Sequence, residues 1–165
     1  MTLGTHAVAG ALIGAIASEN IAFVVSAAFL SHFLLDTIPH WDYKLGSIEN
    51  QGVVINNDMN THSRTFLVDL VKIGFDFWIG IGLVIIAYYQ FPMQVFLGAL
   101  VGGLMGLIPD PLQFVYWKTR WKWMLPLQKF HMWMHSENRL KGHPILGILS
   151  QTAIMAVSLM AVRLL

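Results

Sequence analysis

The chain has no cysteine among its 165 residues, which excludes a disulfide framework, a thiolate metal ligand and a nucleophilic cysteine. Charge is scarce: Asp, Glu, Lys and Arg make up 12% of the residues, about half the share of an ordinary soluble domain. The net charge of +1 gives no electrostatic ground for a nucleic-acid partner. No Lys or Arg precedes the first apolar run, so a cleavable signal peptide is not expected. A Gly-rich phosphate loop, a Ser nucleophile elbow and an HExxH pair are also missing. What the chain does have is apolar residues, 56% of the total, at a mean hydropathy of +0.60. They come in long blocks, the pattern of transmembrane helices. Any transition-metal site must be built from His and carboxylates.

Five apolar segments are expected, over residues 3–18, 20–38, 66–91, 93–109 and 144–163. Ser18-Glu19-Asn20 reads as a tight turn, Phe91-Pro92 as a break, and Pro109 as the end of the fourth segment. The first and fourth segments are short, about 24 Å at 1.5 Å per residue. Their rows of small residues, Gly10 and Gly14 in one and Gly98, Gly102 and Gly106 in the other, allow close helix approach in lipid. Both are expected in the interior of a single membrane-embedded domain, residues 1–165, with larger loops at about 39–65 and 110–143.

If the first two segments form a hairpin near Glu19, one face collects Lys44, Arg64, Lys118, Arg120, Lys122, Lys129, Arg139 and Lys141. The opposite face has only short turns and Arg163. The positive-inside rule then makes the basic face cytoplasmic, with the N-terminus inside. The same threading puts all seven histidines on that face, together with Asp36, Asp42, Asp58 and Asp110.

The densest chemistry lies in Ser31-His32-Phe33-Leu34-Leu35-Asp36-Thr37-Ile38-Pro39-His40-Trp41-Asp42. His32 and Asp36 are a helical turn apart on one face, a spacing that lets imidazole and carboxylate bind one metal. Without a metal, the same pair is a histidine hydrogen-bonded to a carboxylate at the membrane interface. His131 and His135 repeat the i,i+4 spacing on a short interfacial helix. Asp110 continues the Gly102, Gly106 row, and His6 lies in line with Gly10 and Gly14. His40 and His62 are candidates for a further ligand or a general acid/base, and His143, beside Pro144, reads as structural. Trp117-Lys118-Thr119-Arg120-Trp121-Lys122-Trp123 reads as a membrane-surface collar, or else as a grip for a phosphate. Asp76 stands four residues after Lys72, the spacing of an ion pair.

The run from His32 through Asp36 to Pro39 and His40 resembles the central helix motif of zinc-dependent phospholipase C and P1-type nucleases. With the hydrophobic context, the early His6, and Thr61-His62-Ser63 opening a span, the chain more closely resembles the LexA-regulated, membrane-bound metal-dependent hydrolases. Asn56, Asn57 and Asp58 stand where that family usually has His-Arg-Gly. The resemblance implies hydrolysis at a cluster of metal ions.

The expectation is therefore an all-α polytopic membrane bundle of about five apolar helices plus a short interfacial helix, in the inner membrane. Its metal site would use His6, His32, Asp36, Asp110, His131 and His135 on the cytoplasmic face. About one to three zinc ions suit such a donor set, with manganese or iron as alternatives. The expected reaction is hydrolysis of a phosphoester, or another ester, in a lipid or lipid-linked substrate. Two other classes compete: a non-enzymatic membrane subunit stapled by a structural metal, and a metal or proton transporter.

Overall fold

The computed structural model describes residues 1–135, 140 and 142–164. Arg139 and Lys141, two of the basic residues used to assign sidedness, lie outside them. The chain is mostly helical: α1 (Leu3–Ile16), α2 (Ile21–Asp36), α3 (Arg64–Tyr88), α4 (Met93–Leu107), α5 (Pro109–Thr119), α6 (Leu125–Met134) and α7 (Pro144–Ala161). The helix starts follow local chemistry. Asn20 caps α2 by accepting from the Phe23 amide, and Ser63 caps α3 by accepting from that of Phe66. Such caps are each worth about 1 kcal/mol. Proline stands in the first turn of α5, α6 and α7, where its missing N–H costs nothing.

Two expectations are corrected here. Pro109 does not end the fourth segment. It occupies the first position of α5, which follows α4 across Ile108, so the apolar run extends over Met93–Thr119. The fold is also not wholly helical. Between α2 and α3, strands β1 (Ile48–Glu49) and β2 (Asp58–Met59) pair antiparallel, Ile48 opposite Met59.

Among the described residues, three stretches are long and apolar enough to cross a membrane: Arg64–Tyr88, Met93–Thr119 and Pro144–Leu164. Helices α1 and α2, of 14 and 16 residues, reach only about 21 and 24 Å against a hydrocarbon core of about 30 Å. The outer faces are those of lipid-bathed helices. On α3, Leu67, Val71, Phe75, Trp78 and Ile86 are all more than 60% exposed.

Helix α1 is the inner element. Ala7, Val8 and Ala11 are fully buried, and its glycines meet those of α4 with no side chain between. A Cβ on Gly102 would collide with the Gly10 carbonyl and stand 2.9 Å from the Gly14 backbone. One on Gly106 would come 2.6 Å from the His6 carbonyl. On the other side, a Cβ at Gly80 of α3 would reach the Gly4 Cα at 2.6 Å.

Asp76 is not paired with Lys72, contrary to the i,i+4 expectation. Its carboxylate caps α1, accepting from the amides of Leu3 at 2.7 Å and Gly4 at 3.0 Å. Lys72 instead lies 3.3 Å from Asp69 and donates to the Lys44 carbonyl. Asp69 also accepts from the amide and hydroxyl of Ser47. The carboxylates of α3 thus hold the first helix and the 44–47 loop.

The glycine contact gives a direct test. Gly102→Ala should destabilise by about 1–3 kcal/mol through overpacking against α1. Gly82→Ala, where a Cβ meets nothing within 4 Å, should be neutral or stabilise by up to about 1 kcal/mol. Thermal unfolding in detergent reads both, and equal effects at the two sites would contradict the packing described.

Candidate metal centre

At one end of the bundle the polar residues of four helices converge. His6 comes from the first turns of α1, and His32 and Asp36 from the last turns of α2. Asp110 opens α5, while His131 and His135 lie on α6 and at its C-cap. The segment after Pro39 adds His40 and Asp42. His6, His32 and His40 are fully buried, and Asp36 and His131 nearly so.

Asp36 is the centre of the arrangement. Its Oδ1 lies 3.2 Å from His6 Nε2 and 4.0 Å from His40 Nε2. Its Oδ2 lies 3.3, 3.4 and 3.9 Å from Nε2 of His32, His131 and His135. Asp110 Oδ1 stands 3.5 Å from His32 Nε2 and 3.8 Å from His131 Nε2. Three groups therefore have ligand atoms close enough to hold a metal ion: His6, His32 and Asp36; His32, Asp110 and His131; Asp36, His40 and His135. They share His32 and Asp36.

Backbone carbonyls fix which nitrogens face inward. His32 Nδ1 donates to the Gly106 carbonyl at 2.9 Å, and His40 Nδ1 donates to that of Ile38 at 2.6 Å. A carbonyl only accepts, so in the neutral rings each Nε2 presents a bare lone pair to the cluster. His32 Nε2 then faces His131 Nε2 at 3.2 Å. For His131 to donate there, its buried Nδ1 would carry an unused lone pair, and that Nδ1 has no hydrogen-bond partner. Both ring nitrogens of His6 are likewise buried without a well-angled hydrogen bond. Leaving such atoms unmatched costs about 1–3 kcal/mol each. A cation among the Nε2 atoms removes the mismatch, so the residues present fit a metal ion.

The cluster already holds one positive group. The Met1 ammonium lies 2.8 Å from Asp36 Oδ1, 2.9 Å from His40 Nε2 and 3.1 Å from Asp42 Oδ1. Burial opposes its charge, but Asp36, Asp42 and Asp110 outweigh that and raise its pKa. For Asp42, burial works against ionisation. The His40 hydrogen bond and the Met1 ammonium overcome it and hold the carboxyl well below the usual range.

The six expected ligands all meet, and His40 joins them. His62 does not: it is exposed in the turn before α3, and its ring makes no contact with the cluster. It is withdrawn as a catalytic candidate, because Ser63 caps α3 and turns the preceding residues outward. His143 is exposed at the N-cap of α7. The basic run is not a free phosphate grip. Arg120 donates to the carbonyls of Ile55, Asn56 and Asn57, and Lys118 to Asp58 and the Met59 carbonyl. These cations bind the 54–59 turn and strand to α5. Trp121 and Trp123 are stacked on each other and exposed.

Sequence reasoning brought Asp42 to the same face without giving it a part in the site, and missed Gln151 as the site's support. The Gln151 amide accepts from the Thr2 amide at 2.8 Å and donates to the Trp41 carbonyl at 2.8 Å. It thereby ties the segments carrying Met1 and His40 to α7. A Cβ on Gly147, one turn earlier, would collide with Trp41. The available signal was a lone glutamine in an otherwise apolar span, a costly placement unless the amide is used. A concavity of about 510 Å³ sits at the Ser18–Asn20 turn, at the other end of α1, and Glu19 is the ionisable residue lining it.

Shared ligands make metal loss cooperative. His32→Ala and Asp36→Asn should each remove most bound metal and lower the melting temperature, since metal binding stabilises the folded state. His62→Ala should change neither. Elemental analysis of purified protein with a melting curve reads this, and full metal content in both ligand variants would overturn the shared site.

The chain matches no protein-family model, no curated protein and no solved structure.

Proposed function

We propose that the chain is a membrane-bound metal-dependent hydrolase acting on a phosphoester, or another ester, of a lipid or lipid-linked substrate. The observation that carries this reading is the convergence of five imidazole Nε2 atoms on Asp36 at one end of an apolar bundle. The resemblance of the His32–His40 run and of His6 to the LexA-regulated membrane-bound hydrolases supports it. All-nitrogen and oxygen donors favour zinc, with manganese or iron as alternatives. A divalent ion held there supplies Lewis acidity and brings the pKa of a water to about 7.

The chain's own residues have distinct parts in this reading. His32, Asp110 and His131 form one ligand group, and Asp36 with His40 and His135 another. Asp36 borders both groups: its Oδ2 lies within 4 Å of Nε2 of His32, His131 and His135, and its Oδ1 within 4 Å of that of His6 and His40. Asp42 lies 3.3 Å from His40 Nε2, so where the second group holds no ion that nitrogen can carry a proton shared with Asp42 beside the first group. Phe33, packed edge-on to His32 and His131, fixes the ring planes.

The rival reading is a structural staple. A structural site is closed by protein ligands, whereas a catalytic one keeps an open position. Asp110 is 36% and Asp42 25% exposed against 1% for Asp36, an asymmetry that favours a site open on one side. In the same proposal the bundle spans five times, α1 being short and shielded and α2 short with Phe23, Leu30 and Leu34 exposed to lipid. The site then faces the cytoplasm, where the positive-inside rule puts Lys118, Arg120, Lys122 and Lys129.

The test is turnover. Metal-loaded protein in mixed micelles should release a phosphorylated head group from a phospholipid, and chelation should abolish this. His40→Ala should cut the rate at least about tenfold, the ordinary scale of lost acid–base help. It should retain metal at His32, Asp110 and His131. Equal rates before and after chelation, or ligand variants that lose stability in a protein with no turnover, would establish the staple.

A further inference from the structure

Beside the cluster, a groove of about 440 Å³ runs between α3 and the α4–α5 stretch. Leu70, Ile73 and Phe77 form one wall, and Leu104, Leu107 and Pro111 the other. Every lining residue is apolar or glycine. Gly74 leaves the groove open, since a Cβ there would meet nothing within 4 Å. From Leu70 to Phe77 is about two helical turns, or about 10 Å. The outer ridge of α3 beside it, Val71, Phe75 and Trp78, is 72%, 68% and 68% exposed. The groove therefore opens on the lipid-facing side of the bundle.

One end of the groove is lined by chain neighbours of the metal centre's residues. Pro111 follows Asp110, the most exposed carboxylate of the cluster, and Ile108 precedes it by two residues. Leu3 closes the same end, two residues from the Met1 ammonium that lies 2.8 Å from Asp36. An apolar groove on the membrane side thus ends within one or two residues, along the chain, of a buried polar site.

We infer that this groove seats one hydrocarbon chain of a membrane lipid whose polar head reaches the cluster past Asp110. The size supports a chain: about 440 Å³ lies at the small end of ligand pockets. A helix about 10 Å across from a second copy would ride on the Val71–Trp78 ridge instead. Lipid tails are as apolar as the groove walls, so burial alone gives little preference for one lipid over another. What retains a particular chain is its tether. A head group bound at the cluster makes chain entry intramolecular and raises its effective concentration. The fate of the head rests on the hydrolase reading, whereas occupancy by the chain is measurable without turnover.

The experiment uses full-length protein in phosphatidylglycerol vesicles doped with the same lipid carrying a diazirine in one acyl chain. Illumination and peptide mapping should place adducts preferentially on Leu70, Ile73, Phe77 and Leu104. Gly74→Phe should lose these adducts and keep those on Val71 and Trp78, with metal content unchanged. Leu104→Trp, at a position already 45% exposed, fills the groove from the opposite wall and decides the matter should Gly74→Phe fail to fold. Labelling no denser in the groove than on the ridge overturns the inference, as does labelling unmoved by either substitution. Protein-to-protein crosslinks through the groove, the mark of a second copy, overturn it equally. Groove labelling without turnover retires the hydrolase reading alone, and turnover without groove labelling retires the groove alone.

Discussion

The closest constraint in the molecule is the meeting of two glycine rows, Gly10 and Gly14 of α1 against Gly98, Gly102 and Gly106 of α4. Backbone touches backbone there, so the helices have one permitted register. Gly106 shows how the register reaches the chemistry. It has no room for a Cβ against the His6 carbonyl, and its own carbonyl accepts from His32 Nδ1. One glycine therefore sets the height of His6 and the tautomer of His32. A shift by one turn would move His6 about 5.4 Å along the axis and separate it from Asp36.

Around that contact the rest is tethering. Asp76 caps α1 from α3, Gln151 reaches from α7 to Thr2 and Trp41, and Asp69 holds the Ser47 loop. Each is a polar group on an apolar helix, and each is spent at least in part on backbone atoms, Asp69 serving the Ser47 hydroxyl and Lys72 as well. In lipid this is the stringent choice, because an unsatisfied amide has no water to turn to. The result is a rigid frame for the Nε2 atoms, and orientation by backbone carbonyls is the usual means of aiming a metal-binding imidazole.

The sequence made legible what depends on periodicity. The apolar blocks predicted the helices, the glycine rows predicted the buried pair α1 and α4, and the i,i+4 pairs placed ligands at helix ends. Threading by charge brought seven widely separated residues, His6 to His135, to one end. What it could not show depends on contacts far apart in the chain. Asp76 chose the amides of Leu3 and Gly4 over Lys72, one turn away. Lys118 and Arg120 spent their charge on the 54–59 turn and strand. Pro109 was read as a stop because proline ends most helices, yet at the first position of α5 it begins one. His62 was carried by resemblance to its motif, and the Ser63 cap turned it away.

The placement of the Asp76 carboxylate carries a consequence for biogenesis. Helix α1 is the first to be synthesised, but it is too short to span the bilayer unaided, and the group that neutralises its leading amides resides some seventy residues downstream. Its neighbour through the glycine rows is made later still. The N-terminal helix therefore cannot acquire its native surroundings during its own insertion. Its native contacts form only once α3 and α4 have been made, and the ligand set that includes His6 waits longer still, for His131 and His135 at α6.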